Sequence, residues 1–486
     1  MKIKNIFKVI LALCIVCACF VFCGCEKEIY IKGIEITSST EAGNVFTVTY
    51  SDGSTEDFEI SASDGKDGTN GINGKDGEDL KIEDIYESYV KRNGQISFED
   101  FLSMYLSFNM DYSYSIHESL LSCVKIYTEF TETVGSKKVE IYTGAGVIYK
   151  FDDEYCYIIT NYHVVFSKNA NQDNIPAYAS CVNFNDNKIA RKIKVYLYGS
   201  ENIPTETENL DSQDYTLYDY GAEAINAEYI GGSITKDIAV VRAKKQDVLN
   251  INEKAKEVKI ADSYIVGETA IAIGNPEGQG ISVSQGIVCV DNENISLSID
   301  GTSRYYRSIR IDSALYSGSS GGGLFNKYGE LIGITNAGDT QNQNINYAIP
   351  LLIVTTTADN IIHYANDQKE DTSGVYIIKV GFTVMINSSK YCFDEEKKLG
   401  VIVEDVKVTE LTNNSIASNI GFKENDLVKA VIINNERFEV NRMSEIGDFL
   451  LMIRPEDNFS FEVLRNSETT QTLTFQATSE NFNKIA

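Results

Sequence analysis

The chain has 486 residues, with 43 Lys and Arg against 70 Asp and Glu, for a formal net charge of −27. That length suits several domains rather than one. So acidic a balance, with no basic stripe to offset it, excludes nucleic-acid binding and excludes attachment to an anionic membrane by charge.

The N-terminus offers another route to a membrane. Lys2, Lys4 and Lys8 precede an apolar run from Val9 to Phe22. A basic region followed by a short apolar stretch reads as a secretory signal, and the run falls short of the ~20 apolar residues of a spanning helix. Phe22-Cys23-Gly24-Cys25 resembles a bacterial lipobox, which makes 1–24 a lipoprotein signal peptide and Cys25 the lipidated residue. That resemblance implies a body anchored by lipid on the extracytoplasmic face of a bacterial cell membrane. An ordinary signal peptide or an uncleaved anchor would also place the body outside the cytoplasm. Five of the ten cysteines belong to this export segment; Cys123, Cys156, Cys181, Cys289 and Cys392 are scattered and read as mostly buried free thiols, with no zinc-like spacing.

Residues 25–62 read as a small β module, with strands at 30–37 and 45–50 and a hairpin turn at Ser51-Asp52-Gly53-Ser54. In 63–80, Gly65, Gly68, Gly71, Gly74 and Gly77 recur at every third position. The repeat is very short and lacks proline, so it reads as a polar spacer rather than a collagen helix. Gly74-Lys75-Asp76 lacks the Ser or Thr of a phosphate loop, and the Asp and Asn here miss the EF-hand spacing. No metal or cofactor is called for. Residues 81–110 read as short helices.

From about Tyr112 to His363 the pattern is short alternating strands separated by Gly and Asn turns. Within it stands Asp312-Ser313-Ala314-Leu315-Tyr316-Ser317-Gly318-Ser319-Ser320-Gly321-Gly322-Gly323. A core segment gains nothing from so many glycines, whereas a nucleophile loop does. Glycines permit a sharp turn that exposes one hydroxyl and aims backbone N–H groups at a developing oxyanion. A serine nucleophile needs a base, and there are three histidines. His117 lies in an aromatic helical entry segment, and His363 ends a helix-like run, where a cation suits the terminus. His163 follows the buried-looking strand Cys156-Tyr157-Ile158-Ile159-Thr160 and is the candidate base. Asp237, at the mouth of the apolar strand Ile238-Ala239-Val240-Val241, is the carboxylate that would orient it. The order His163, Asp237, Ser320 is that of chymotrypsin.

With these residues in place, the chain resembles an HtrA-type trypsin-like serine protease. The matches begin at Thr143-Gly144-Ala145-Gly146-Val147-Ile148 and Thr160-Asn161-Tyr162-His163-Val164-Val165. They continue through Ala272-Ile273-Gly274-Asn275-Pro276 and Gln285-Gly286-Ile287-Val288 to the serine loop. Beyond it lie Gly329-Glu330-Leu331-Ile332-Gly333-Ile334 and Asn346-Tyr347-Ala348-Ile349-Pro350. About half the chain is covered, in order. The resemblance implies a mainly β fold, with a chymotrypsin-like double β-barrel at 111–365, a linker at 366–375 and a PDZ domain at 376–478.

The family pattern Gly-x-Ser-Gly-Gly falls on Gly318-Ser319-Ser320-Gly321-Gly322, which makes Ser320 the nucleophile. By the same resemblance the amides of Gly318 and Ser320, with Ser319, form the oxyanion hole, and Ala314 lies at the base of the specificity pocket. With no acid there, small aliphatic residues are preferred over Arg or Lys. Family members usually carry Asn at the Ser319 position and proline at Ser317 and Gly323, so this loop is expected to be less pre-ordered. In digestive relatives an Asp before the nucleophile pairs with a freshly cut N-terminus; Ser319 has no such charge, which argues for control by loop ordering. The interval between His163 and Asp237 is long for the family, and 200–219 reads as an inserted surface loop.

In the C-terminal part the strand Ala430–Ile433, a helix near Ser444–Ile453 and the strand Phe459–Val463 fit the PDZ pattern, which binds C-terminal or apolar peptide by strand addition. The match is poor over Val380–Cys392, where the carboxylate-binding loop should lie. The implied function is ATP-independent cleavage of unfolded or damaged extracytoplasmic proteins, without cofactor, by a homotrimer with Phe108–Tyr114 as candidate contact. The alternative from another class is a surface-anchored peptide-binding or holdase protein with little proteolysis; an adhesin-like role rests only on the N-terminal module and spacer.

Overall fold

The computed structural model describes residues 31–40, 43–50, 54–60, 86, 90–91, 112–132, 138–171, 188–338, 342, 344–367, 374–394, 399–466 and 468–485. Cys25, the glycine repeat, Cys181 and nearly all of 81–110 lie outside these residues. The chain divides into two units, Met1–Asp111 and Tyr112–Ala486.

In the first unit β1 (Ile31–Thr40), β2 (Gly43–Tyr50) and β3 (Thr55–Ile60) form an antiparallel sheet in that order. Two strands are expected from sequence and three are present. In Thr55–Ile60 only Phe58 and Ile60 are apolar, set among Glu56, Asp57 and Glu59, so its alternation is easily taken for a polar loop.

The second unit starts with α1 (Ser113–Leu120) and then closes a barrel from β4 (Cys123–Glu132), β5 (Lys138–Phe151), β6 (Tyr155–Thr160), β7 (Lys192–Leu197), β10 (Ile225–Ser233) and β11 (Ile238–Lys244). Val124, Ile126, Val147, Ile158, Ile159 and Val240 fill it and are fully buried. β-branched side chains suit this role because they pack well on a pleated surface.

Between β7 and β10, β8 (Thr205–Leu210) and β9 (Thr216–Asp219) pair as a hairpin. The insertion expected as a loop is therefore a structured clasp, laid over the outward face of β4 and β7. Tyr196 donates its hydroxyl to Tyr220 O at 2.6 Å, and Tyr220 donates to Glu129 Oε2 at 2.7 Å. Glu129 is fully buried and pairs with Arg191 and Lys192, while Arg191 also reaches Asp211 Oδ2 at 3.0 Å.

A second ring follows: β13 (Thr269–Gly274), β14 (Ser282–Ser298), β15 (Ser303–Ile311), β18 (Asn346–Pro350), β17 (Glu330–Gly338) and β16 (Gly323–Phe325), with the short β12 (Lys259–Ile260) added parallel to β17. Two six-membered antiparallel rings give the double-barrel fold expected from sequence.

α2 (Leu351–Asp367) leads away from β18. Its buried Asn360 donates to Tyr376 O at 2.8 Å and Leu451 O at 2.9 Å, fastening the C-terminal body to the barrels. That body is a sheet in the order β20 (Phe382–Asp394), β21 (Leu399–Leu411), β22 (Leu427–Ile433), β24 (Asn458–Arg465), β25 (Thr469–Gln476), with β23 (Glu436–Glu439) on β22. α3 (Ile416–Ile420) and α4 (Glu445–Leu450) complete it around Val406, Phe422, Phe459 and Phe461. Where a carboxylate-binding loop is sought in the sequence, β20 runs as a long edge strand, paired with β21 from Phe382↔Leu411 to Asp394↔Leu399. The last strand, β26 (Phe482–Ile485), returns to pair with β19 (Val375–Ile378), so the fold extends beyond residue 478.

The Glu129 network yields a stability prediction. Glu129→Ala leaves Arg191 and the Tyr220 hydroxyl without their buried acceptor, and removing one partner of a buried ion pair costs about 3–5 kcal/mol. Urea unfolding of the full chain should show a loss of that size. A loss below about 1 kcal/mol would match an exposed pair and contradict the buried clasp.

Candidate active site

His163 sits in the single turn Tyr162–Val165 that follows β6. Tyr162 stacks on Phe166 with ring centroids 5.2 Å apart, which fixes the turn against the barrel. Asp237 closes the connection between β10 and β11 and has φ +54°, a left-handed conformation that Asp tolerates better than bulkier residues. It is fully buried, and both its oxygens are taken by His163. Oδ1 accepts the His163 backbone N–H at 3.0 Å, and Oδ2 faces Nδ1 at 2.8 Å.

An ionised carboxylate only accepts, so Nδ1 carries the proton and Nε2 is left with a free lone pair. Burial pulls the His163 pKa down, but the charge of Asp237 and its hydrogen bond outweigh burial and hold it above the ordinary histidine value. Asn161 donates its Nδ2–H to Asp237 O at 3.0 Å and steadies the carboxylate from its backbone side.

The serine loop is shaped by two glycines with positive φ, Gly318 at +94° and Gly321 at +86°. A Cβ on Gly318 would fall 2.4 Å from Asn275 O, and one on Gly321 would fall 2.2 Å from Ala145 O, so neither position admits a side chain. Ala145 N donates to Ser320 O at 2.8 Å, binding the loop to the first barrel. Gly321 N donates to Thr335 O, and Thr335 N to Gly322 O, binding it to the second.

Glu277 N donates to Ser317 O at 2.6 Å. The Ser319 amide donates to Tyr316 O at 2.9 Å and is spent within the turn. Among the described residues the amides of Gly318 and Ser320 donate to no protein group. The Ser320 hydroxyl donates to Asn336 O at 3.0 Å, and no hydrogen bond joins it to His163. The two barrels nevertheless meet here: a Cβ at Gly144 would fall 2.6 Å from Val164, the neighbour of His163, and 3.3 Å from Ser320 O.

Ala314 is exposed, and its carbonyl accepts from Ser284 Oγ at 2.7 Å. Beside it, Ser313 is held by Ala270 O and by Asn346 Nδ2. Asp312 is the acid closest to it in sequence, and its Oδ1 is taken by Ile287 N–H at 2.7 Å. His117 lies in α1 and His363 in α2, both exposed, and His117 Nδ1 contacts Ser113 O. Cys123 and Cys156 are buried free thiols, and Cys289 and Cys392 are half-buried. Among the described residues no group of His, Cys, Asp or Glu is arranged to hold a metal ion, and no helix is long and apolar enough to cross a membrane.

Three groups at the site go unread in the sequence: the carbonyl of Asn336, the backbone N–H of Glu277, and Lys125 behind the loop. The first two act through backbone atoms, to which side-chain identity gives no clue. Lys125 alternates outward from a strand, where a lysine ordinarily meets water.

Residues 144–334 match the family model of the trypsin-like peptidase domain. Curated relatives include HtrA-like serine proteases of Staphylococcus aureus. The protein of strain MRSA252 is 26% identical over 296 residues, covering 59% of this chain and 31% of the relative. That of strain USA300 is 25% identical over the same span. The chain thus spans about a third of the length of the curated relatives it matches. Among solved structures, the HtrA-type protease AlgW with tripeptide aligns at 21% identity and a TM-score of 0.43, over 76% of this chain and 96% of that one. The serine endoprotease from Yersinia pestis aligns at 20% identity and a TM-score of 0.39, over 78% and 99%. Residues 144–334, which carry His163, Asp237 and Ser320, thus match a trypsin-like peptidase domain, and the chain is similar to the HtrA-like serine proteases.

Proposed function

We propose that the protein is an HtrA-like serine endopeptidase that cleaves unfolded or damaged proteins outside the cytoplasm without ATP. One observation carries this: a His163–Asp237 pair with Nε2 left as a base, beside a serine loop whose Gly318 and Ser320 amides have no acceptor among the described residues. Lipidation at Cys25, homotrimer formation and peptide recognition by the C-terminal body, read as a PDZ domain, belong to the same proposal and rest on the sequence.

In the first step the Ser320 hydroxyl turns from Asn336 O toward His163. Nε2 takes its proton as Oγ bonds the scissile carbonyl carbon, and the oxyanion is held by the Gly318 and Ser320 amides. The imidazolium, stabilised by Asp237, gives its proton to the amine as the C–N bond breaks, leaving an acyl-enzyme on Ser320. Water, deprotonated by the same Nε2, then attacks the ester and releases the acid. Ala314 presents no charge to the side chain before the scissile bond, which favours small aliphatic residues there.

Labelling of the full chain by a fluorophosphonate, alongside cleavage of unfolded casein, tests this function. Wild type should be labelled at Ser320 and cleave casein; Ser320→Ala should lose labelling and at least about 10³-fold of the cleavage. A wild type that is neither labelled nor cleaves casein, yet suppresses client aggregation, would establish the peptide-binding alternative.

The His163–Asp237 pair predicts a pH dependence. His163 works as the neutral base, so kcat/KM should rise with pH through its raised pKa. Asp237→Asn removes the charge that raises it and leaves burial, which lowers it. The inflection should move to lower pH while the plateau falls by roughly 10⁴, because the imidazole loses its tautomer. An unmoved inflection would show that Asp237 does not face His163 in solution.

A further inference from the structure

Lys125 lies on β4 and is 1% exposed, a buried ammonium in a barrel wall, where a charge is costly unless it is paired and hydrogen-bonded. Its Nζ donates to Gly278 O at 2.7 Å and stands 4.7 Å from the Tyr127 ring centroid; the Tyr127 hydroxyl reaches the same carbonyl at 3.3 Å. Burial lowers the pKa of the ammonium, and the charge of Glu201 opposes that effect. Glu201 is the first acid of the inserted segment. Its Oε1 accepts Ile281 N–H at 3.2 Å, and its Oε2 accepts Gly199 N–H at 2.8 Å.

Gly278 and Ile281 belong to the turn that starts at Asn275. Asn275 anchors that turn with its own amide: Nδ2 donates to Thr143 Oγ1 at 2.7 Å, and Oδ1 accepts Gly280 N–H at 3.0 Å. From the other side of the same turn Glu277 N–H grips Ser317 O. In a planar trans peptide the C=O and the following N–H point in opposite directions. Fixing Ser317 O on Glu277 therefore aims Gly318 N–H away from the turn.

We infer that Lys125 and Glu201 are positioning residues for the oxyanion hole, holding the 275–281 turn so that its Glu277 N–H orients the Ser317–Gly318 peptide. This rests on the protease function proposed above. The inserted segment thereby gains a purpose, since it covers the outward face of β4 and brings Glu201 to Lys125. The charge reaches the site only through backbone, from Nζ to Gly278 O, along the turn to Glu277 N, and on to Ser317 O. Neither side chain touches substrate.

The test compares Lys125→Met, Lys125→Gln and Glu201→Ala with wild type in the full chain, by fluorophosphonate labelling rate, kcat and KM on a fluorescent casein, and melting temperature. Lys125→Met should lower kcat and labelling by about 10- to 100-fold, short of the ~10²–10³ expected for outright loss of a donor. KM should stay within about 2-fold, as for an interaction made in the transition state. The melting temperature should hold or rise, because an apolar side chain replaces a buried charge. Lys125→Gln, which keeps a donor, should recover part of the rate. Glu201→Ala should lower kcat about 3- to 10-fold, again with KM held.

Equal labelling of wild type and a normally melting Lys125→Met overturns the inference and leaves the protease function standing. Should Lys125→Met fail to fold, an unchanged kcat in Glu201→Ala overturns it. Absence of labelling in wild type overturns both.

Discussion

The direction of one peptide plane, Ser317–Gly318, decides what the serine loop can do. A nucleophile and a base are of little use if the oxyanion has no donor, since electrostatic stabilisation of that charge is commonly the largest contribution to acyl transfer. The plane is held at one end by Glu277 N–H on Ser317 O, and the adjoining Gly318 takes a φ that a side chain would forbid. The loop carries no proline between Asp312 and Phe325, with Ser at 317 and Gly at 323. Hydrogen bonds from Ala145, Glu277 and Thr335 supply from outside the loop the order that proline would build into it.

Those outside supports are drawn from both barrels. Ala145 is on β5 and Thr335 on β17, so the serine loop is complete only when the two rings are docked. The same holds for the base. Tyr306 of the second barrel donates its hydroxyl to Ile234 O at 2.8 Å, in the connection that carries Asp237. Arg307, next along β15, pairs with buried Asp448 of the C-terminal body, and Arg442 of that body reaches Asp291 Oδ2 at 2.6 Å. Both the acid–base pair and the nucleophile loop thus sit on connections that receive hydrogen bonds from a neighbouring barrel as well as from their own.

This explains which parts of the molecule are legible in sequence. The double barrel is legible because apolar alternation and turn residues are local signals, and β6 and β11 are almost continuous apolar runs rich in β-branched residues. The pairing of His163 with Asp237 is inferable once chemistry is demanded of a chain with three histidines. What escapes is whatever depends on burial by remote chain. Glu129 reads as solvated face until the segment carrying Tyr220 is laid over it, and Lys125 until Gly278 and Tyr127 close around it. Thr55–Ile60 reads as polar loop until it has β2 for a neighbour. The length of β20 is likewise invisible, because Asn387-Ser388-Ser389-Lys390 resembles a turn and becomes strand only by pairing with β21.

The departure at Ser319 and the burial of Lys125 bear on each other. Digestive relatives order this loop with a charge that does not exist until a bond is cut, which makes activation a single irreversible event. Lys125 by contrast is an internal ammonium, buried in the folded chain without any cut. Its effect runs through a turn that is anchored on a separate hairpin and on backbone carbonyls, each bond worth about 1 kcal/mol net. On the inference above, the order of the serine loop would rest on the 275–281 turn and on Glu201, which holds that turn from the segment leading into β8.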